Sequence, residues 1–145
     1  MVRFKSRYLL CEIFWESGLN NAHSDSNTFK MSIKKAIDSC FGAYGLGLCQ
    51  SSLNVKYFNN VTNLSIVKIS RDHFQSLWVA LTLIRNFAGQ RCAIRVIHTG
   101  GSMRSCQKAA LEHSRRLYKI LVTDTDLTTS HCYLDQEKTI LQLDP

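Results

Sequence analysis

Leu9, Cys11, Ile13 and Trp15 recur at every second position and Glu12 falls on the opposite face, so residues 7–16 read as a strand. Residues 17–27 are rich in Ser, Asn, Gly and His and read as a loop. After Thr28, a candidate N-cap, the apolar positions switch to helical spacing through Phe29, Ile33, Ala36, Ile37, Cys40 and Phe41. Gly42, Gly45 and Gly47 then predict the end of that helix and a flexible connection. Leu53, Val55 and Tyr57 alternate as a second strand. A turn over Asn59–Asn63 leads into a third strand, Leu64–Ile69. Phe74, Leu77, Trp78, Leu81 and Ile84 share one face of a helix expected over Arg71–Phe87. Gly89 breaks it, Cys92–His98 form a fourth strand, and a third helix follows Ser102 to about Val122. Its buried face would carry Cys106, Ala109, Ala110, His113, Leu117 and Leu121.

The order β-α-β-β-α-β with a trailing helix is the ferredoxin-like pattern of an α/β (α+β) domain. It predicts an antiparallel four-stranded sheet with two helices on one face and the third flanking or covering part of the sheet. Residues 1–123 form the domain; residues 124–145 show weak periodicity and read as a partly disordered tail. A chain of 145 residues with 45% hydrophobic and 20% charged positions suits one globular domain. No run approaches the length of a membrane span. The charged N-terminus argues against a secretory signal. The six cysteines, none in a C-x-x-C pair, are therefore expected as reduced thiols, and the glycosylation triplets at Asn60 and Asn63 as unused.

Charge sharpens the picture. The net charge of +7 divides into +11 over residues 1–123 and −4 over residues 124–145. A basic body with an acidic tail points to a polyanionic partner. Arg3, Lys5 and Arg7 alternate through the N-terminal segment, which contains no acid. Cations at every second residue of an extended segment project to one side, as a nucleic-acid backbone requires. Further on, Gly100, Gly101 and Ser102 precede a helix carrying Arg104 and Lys108 one turn apart. Glycines admit a ligand close to the backbone, and a helix N-terminus offers free N–H donors, so this loop is a candidate anion site. The plainer reading is a Gly-Gly turn with Ser102 as N-cap.

Lys56, Lys68 and Arg95 would lie on the sheet face opposite the helices, if Val55, Tyr57, Val67 and Ile69 face them. That face lacks the aromatic signature of an RNA-recognition motif, Phe58 being its one outward aromatic, so backbone and shape recognition of structured RNA fits better than base stacking on the sheet. No paired carboxylates form a catalytic motif. Cys106 and His113 are two helical turns apart, too far for a nucleophile and its base. His131-Cys132 with His113 and Cys106 make a weak zinc pattern, and no metal site is assigned.

Gly100 through Lys108 (Gly-Gly-Ser-Met-Arg-Ser-Cys-Gln-Lys), together with Val2–Glu12, resembles two motifs of the Pop-five family. These are small protein subunits of eukaryotic and archaeal ribonuclease P and ribonuclease MRP. Val55–Asn59 and the segment from Arg71 to Trp78 are similar to the family's middle region, and the resemblance extends to about residue 121. It implies a non-catalytic RNA-binding subunit of particles that remove 5′ leaders from precursor tRNA and process precursor ribosomal RNA. The particle RNA and its Mg²⁺ ions would supply the chemistry, with no cofactor on the protein itself. It further implies a nuclear and nucleolar location. Its partners would be ribonuclease P RNA and MRP RNA, precursor tRNA near its cleavage site, and a TIM-barrel-type protein subunit, but no membrane. By motif match Arg3, Lys5, Arg7, Arg104 and Lys108 are the RNA-contact candidates. Charge and helix position add Lys34, Lys35, Arg71, Arg115 and Arg116. The rival readings are a generic basic interaction module and an acylphosphatase-like phosphohydrolase, whose paired catalytic Arg and Asn cannot both be placed here.

Overall fold

The computed structural model describes residues 4–16, 25–122 and 138–143. Strand β1 (Ser6–Trp15) leads to helix α1 (Ser26–Gln50) and a hairpin of β2 (Asn54–Asn59) and β3 (Leu64–Ser70). A single 3₁₀ turn (Arg71–His73) opens helix α2 (Phe74–Leu83). A two-residue strand β4 (Asn86–Phe87), strand β5 (Gln90–Gly100) and helix α3 (Met103–Val122) follow. β1 lies at the centre, antiparallel to β3 on one side and to β5 on the other, in the sheet order β2-β3-β1-β5-β4. This is the ferredoxin-like α+β arrangement, with β4 folded back onto β5.

The strict alternation of β1 feeds two cores. Leu9, Cys11, Ile13 and Trp15 meet Phe29, Ile33 and Ile37 of α1 and Leu77 and Leu81 of α2. The rings of Trp15, Phe29, Phe58 and Phe87 interlock there at centroid distances of 5.2 to 6.0 Å. On the reverse face, Tyr8, Leu10, Leu64 and Ile66 are covered by Met103, Cys106 and Ala110 of α3 and by Ile140. Burial of each large aliphatic or aromatic side chain stabilises by about 1.5–3 kcal/mol, so α3 is a structural layer of the domain. Gln107 Nε2 donates to the carbonyls of Ile140 and Leu143, at 2.8 Å each, and ties residues 138–143 to that layer.

Several local expectations change. The helix from residue 26 does not stop at its glycines: α1 runs to Gln50, with a kink where Gly42 takes φ 69° and ψ −175°. Leu46 and Cys49 beyond the kink pack on the same core, and tertiary burial overrides the low helix propensity of glycine. Thr28 is not the cap; Asp25 holds that position in an extended conformation. α2 ends at Leu83 rather than Phe87, because Ile84 turns extended. Ala88 (φ 51°) and Gly89 (φ 79°) then make a hairpin turn that buries Phe87.

In β2 the pairing slips between Val55 and Tyr57. Val55 and Phe58 therefore face the helix-side core while Tyr57 enters the α3-side core, the reverse of a regular strand for Phe58 and Tyr57. The sheet face proposed for RNA is thus occupied by α3 over its centre. Of its three cations, Arg95 is paired with the buried Glu12, Nη2 to Oε2 at 2.9 Å.

Candidate nucleic-acid interface

The two ends of the antiparallel pairing place the sequence motifs together. Tyr8 is registered against both Lys68 of β3 and Gly100 of β5. The backbone N–H of Arg71 donates to the Lys5 carbonyl at 2.8 Å, fixing the approach to β1. One corner of the sheet thereby collects Lys5, Arg7, Lys68 and the Gly-Gly-Ser loop. Lys5, Arg7, Lys68, Gly101 and Ser102 line an open cavity of about 530 Å³ with Phe4, Ser6, Tyr8 and Met103. No carboxylate among the described residues lines it.

The loop is held from beneath. Met103 and Cys106 are buried against the sheet, and Cys106 Sγ donates to the Tyr8 carbonyl at 3.3 Å. His98 Nε2 lies 2.9 Å from Ser105 Oγ, clamping the first turn of α3 to β5. Ser102 Oγ accepts the Ser105 backbone N–H at 3.3 Å, so the N-cap reading holds. The N-terminal dipole of the twenty-residue α3 therefore opens beside the cavity, with no acidic residue in its first turn. Gly101 lets the Arg7 side chain approach the loop closely. A Cβ on it would lie 3.1 Å from Arg7 Nη1, so the guanidinium occupies the space a side chain would take. Lys68 Nζ sits 5.6 Å from the centroid of the Tyr8 ring, a cation–π contact that holds its charge at the same corner.

The remaining candidates distribute unevenly. Arg71 adjoins Lys5 through the backbone bond, and Arg104 and Lys108 are exposed along the first turns of α3; none of the three lines the cavity. Lys34 and Lys35 belong to α1, on the other side of the sheet, where Lys35 borders a separate recess with Ser39 and Leu83. Arg115 and Arg116 lie on the distal half of α3, and Arg116 is paired with Glu112. Arg3, like His131 and Cys132, lies outside the described residues. Phe4 was not among the sequence candidates, and Lys68 was expected only on the open sheet face, not at this corner. The β1–β3 register alone brings Lys68 to this corner.

Nucleophilic chemistry is disfavoured at the thiols nearby. Burial pushes the Cys106 thiol up to about 11 and, with the adjacent Cys106 adding to burial, Cys11 up to about 12. His113 Nε2 faces Glu12 Oε2 at 3.4 Å rather than a thiol. Among the described residues no group of three or more His, Cys, Asp or Glu could hold a metal ion. Cations and a helix N-terminus, with no carboxylate among the described lining residues, give this corner the chemistry an anion site requires.

These features define a basic ferredoxin-like α+β domain with a phosphate-type corner between β1, β3 and α3. The chain matches the model of the Rpp14/Pop5 family over residues 7–111 and belongs to that family. The ribonuclease P/MRP protein subunit POP5 of Schizosaccharomyces pombe is 39% identical to it over 124 residues, covering 79% of this chain and 89% of that protein. The human ribonuclease P/MRP protein subunit POP5 is 30% identical over 152 residues, covering 95% and 93%. A chain from the cryo-EM structure of yeast ribonuclease MRP shares the fold, with a TM-score of 0.57 at 13% identity over 83% of this chain and 98% of that one.

Proposed function

We propose that the chain is a non-catalytic RNA-binding subunit of ribonuclease P and of ribonuclease MRP, located in the nucleus and nucleolus. It neutralises phosphates at the corner of Lys5, Arg7 and Lys68 and so holds the particle RNA in shape near precursor tRNA. The observation that carries this is the convergence of the basic N-terminal segment, Lys68 and the Gly-Gly-Ser loop, segments up to nearly a hundred residues apart in sequence, on one cavity against a helix N-terminus, with no carboxylate among its described lining residues. Family membership supports the assignment to these particles. The hydrolytic chemistry belongs to the RNA with its Mg²⁺.

A second face suits a protein partner. Phe41, Tyr44 and Leu48 of α1 and Trp78 of α2 stay exposed on the helix layer, on the other side of the sheet from α3. We assign the TIM-barrel-type subunit of the particle to this face, since the aromatic anchors and the cationic corner then serve different partners.

Affinity purification of the tagged protein from its own cells tests the reading, with sequencing of retained RNA and a precursor-tRNA cleavage assay. Ribonuclease P RNA with nuclease-sensitive 5′-leader cleavage is the expected result, and MRP RNA alongside it shows dual membership. Soluble protein that brings down neither RNA nor activity overturns the assignment. Turnover by the purified chain without RNA would favour the phosphohydrolase.

A further inference from the structure

Phe4 is 99% exposed, more than any other large apolar side chain among the described residues. The other aromatic rings near β1 have partners. Trp15 stacks on Phe87, Phe14 lies under the Arg95 guanidinium at 5.1 Å, and Tyr8 lies under Lys68. Phe4 instead stands at the rim of the basic cavity, beside Lys5, Arg7 and Lys68. An apolar ring ringed by cations and held in water is poorly explained by folding, since it covers nothing.

We infer that Phe4 is a stacking platform for an unpaired RNA base whose phosphate occupies the cavity floor at Gly101–Ser102. This rests on the RNA-binding function proposed above and names which form of RNA the corner takes. The cavity of about 530 Å³ falls in the range that holds one small ligand, roughly 300–1,000 Å³. Its cationic lining and the exposed Phe4 ring, Tyr8 being already engaged by Lys68, match the two halves of a nucleotide. The phosphate meets cations and helix N–H groups, and the base meets a π-face. A base inside a duplex has both faces already stacked and offers none to Phe4, so the geometry selects a single-stranded segment. The platform lies off the sheet, because α3 covers the sheet face that an RNA-recognition motif would use.

The test uses the 145-residue chain and two fluorescent RNAs, an unpaired twelve-nucleotide strand and a hairpin duplex, each titrated over a range of salt. Phe4→Ala is expected to weaken binding of the unpaired strand by about tenfold while leaving its salt slope and the duplex affinity unchanged. Phe4→Trp restores the affinity. Equal losses on both RNAs, or no loss on either, overturn the stacking role while leaving phosphate binding in place. Failure of the unsubstituted chain to bind either RNA overturns the RNA-binding reading along with it. A photoreactive phenylalanine at position 4 in the assembled particle then identifies the source. Crosslinks to the particle RNA or to the precursor's 5′ leader each support an unpaired-base contact, and crosslinks to protein alone overturn it.

Discussion

Arg7 lays its guanidinium over the bare Cα of Gly101, where a Cβ would lie 3.1 Å from Nη1. One residue earlier, a Cβ on Gly100 would meet Ser105 Cβ and Oγ at 3.1 Å and Cys106 Sγ at 3.4 Å. The two glycines thus do different jobs. The Arg7 guanidinium, whose Nη1 donates to the Ser6 carbonyl at 3.3 Å, ends a long flexible side chain and can shift aside, whereas Ser105 and Cys106 are fixed in the docked first turn of α3. Gly101→Ala is expected to change stability by less than about 0.5 kcal/mol, a surface-sized effect, yet weaken RNA binding several-fold by displacing Arg7. Gly100→Ala is expected to destabilise by about 1–3 kcal/mol through overpacking. Urea unfolding and RNA titration of both variants separate these outcomes; equal stability losses would show that Arg7 is not mobile.

The salt dependence of binding tests the composition of the corner. Lys5, Arg7 and Lys68 changed together to Ala should lower the slope of log K against log salt by about 2–3, at about 0.7–0.9 for each phosphate left without its cation. The pair Lys34 and Lys35, across the sheet, should change that slope by less than about 1. A reversed order of the two effects would move the RNA to the helix layer.

Much of this architecture is legible because β1 and both core helices follow clean periods of two and 3.6. What could not be read depends on pairing. Lys68 joins Lys5 and Arg7 only through the register that sets Tyr8 against it. Phe58 turns inward only because β2 slips one residue beside Val55. Gly42 reads as a helix stop because glycine is a poor helix former, yet Cys49 and Leu46 supply enough burial to continue α1 beyond it. The Gly-Gly-Ser loop is visible as an anion motif. That Arg7 fills the space over Gly101 is not, since nothing local to either segment records their approach.

Glu12 is buried and accepts from Arg95 Nη2 at 2.9 Å, with His113 Nε2 at 3.4 Å. It joins β1, β5 and α3 at one point. Arg95 is 63% exposed and can return to water, so Arg95→Ala should cost less than about 1 kcal/mol. Glu12→Ala leaves His113 facing a void in a buried interface and should cost about 1–3 kcal/mol in urea unfolding. Equal costs would place the weight of the cluster on Arg95.

The buried thiols give a pH signature. Cys11 titrates near 12 and Cys106 near 11 when folded, against an ordinary value of 9.0, because burial disfavours the thiolate. A raised folded value means the stabilisation is complete below pH 9 and is lost as pH climbs through 9 towards 11 to 12. Each thiol should remove about 1 kcal/mol of stability by pH 10. Cys11→Ala should flatten the fall between pH 9 and 11 relative to the unsubstituted chain. At pH 8, alkylation followed by mass spectrometry should label the exposed Cys40 and spare Cys11 and Cys106. Rapid labelling of Cys106 would mean that α3 lifts from the sheet.

Leu77 and Trp78 are neighbours on α2 with opposite fates: Leu77 is fully buried in the helix-side core, and Trp78 is 40% exposed. The spacing puts both on one apolar stripe, but the core covers only part of it. Leu77→Asp puts an unpaired charge into the core and should abolish folding, a loss above about 4 kcal/mol. Trp78→Ala should leave the circular dichroism spectrum and RNA affinity unchanged. Its effect should appear in assembly, where removing an aromatic anchor costs about 2 kcal/mol or more and so weakens binding of the TIM-barrel-type subunit by more than tenfold. If Trp78→Ala binds that subunit as tightly as the original chain, the helix layer is not the docking face, and the exposed aromatics of α1 lose their assigned partner with it.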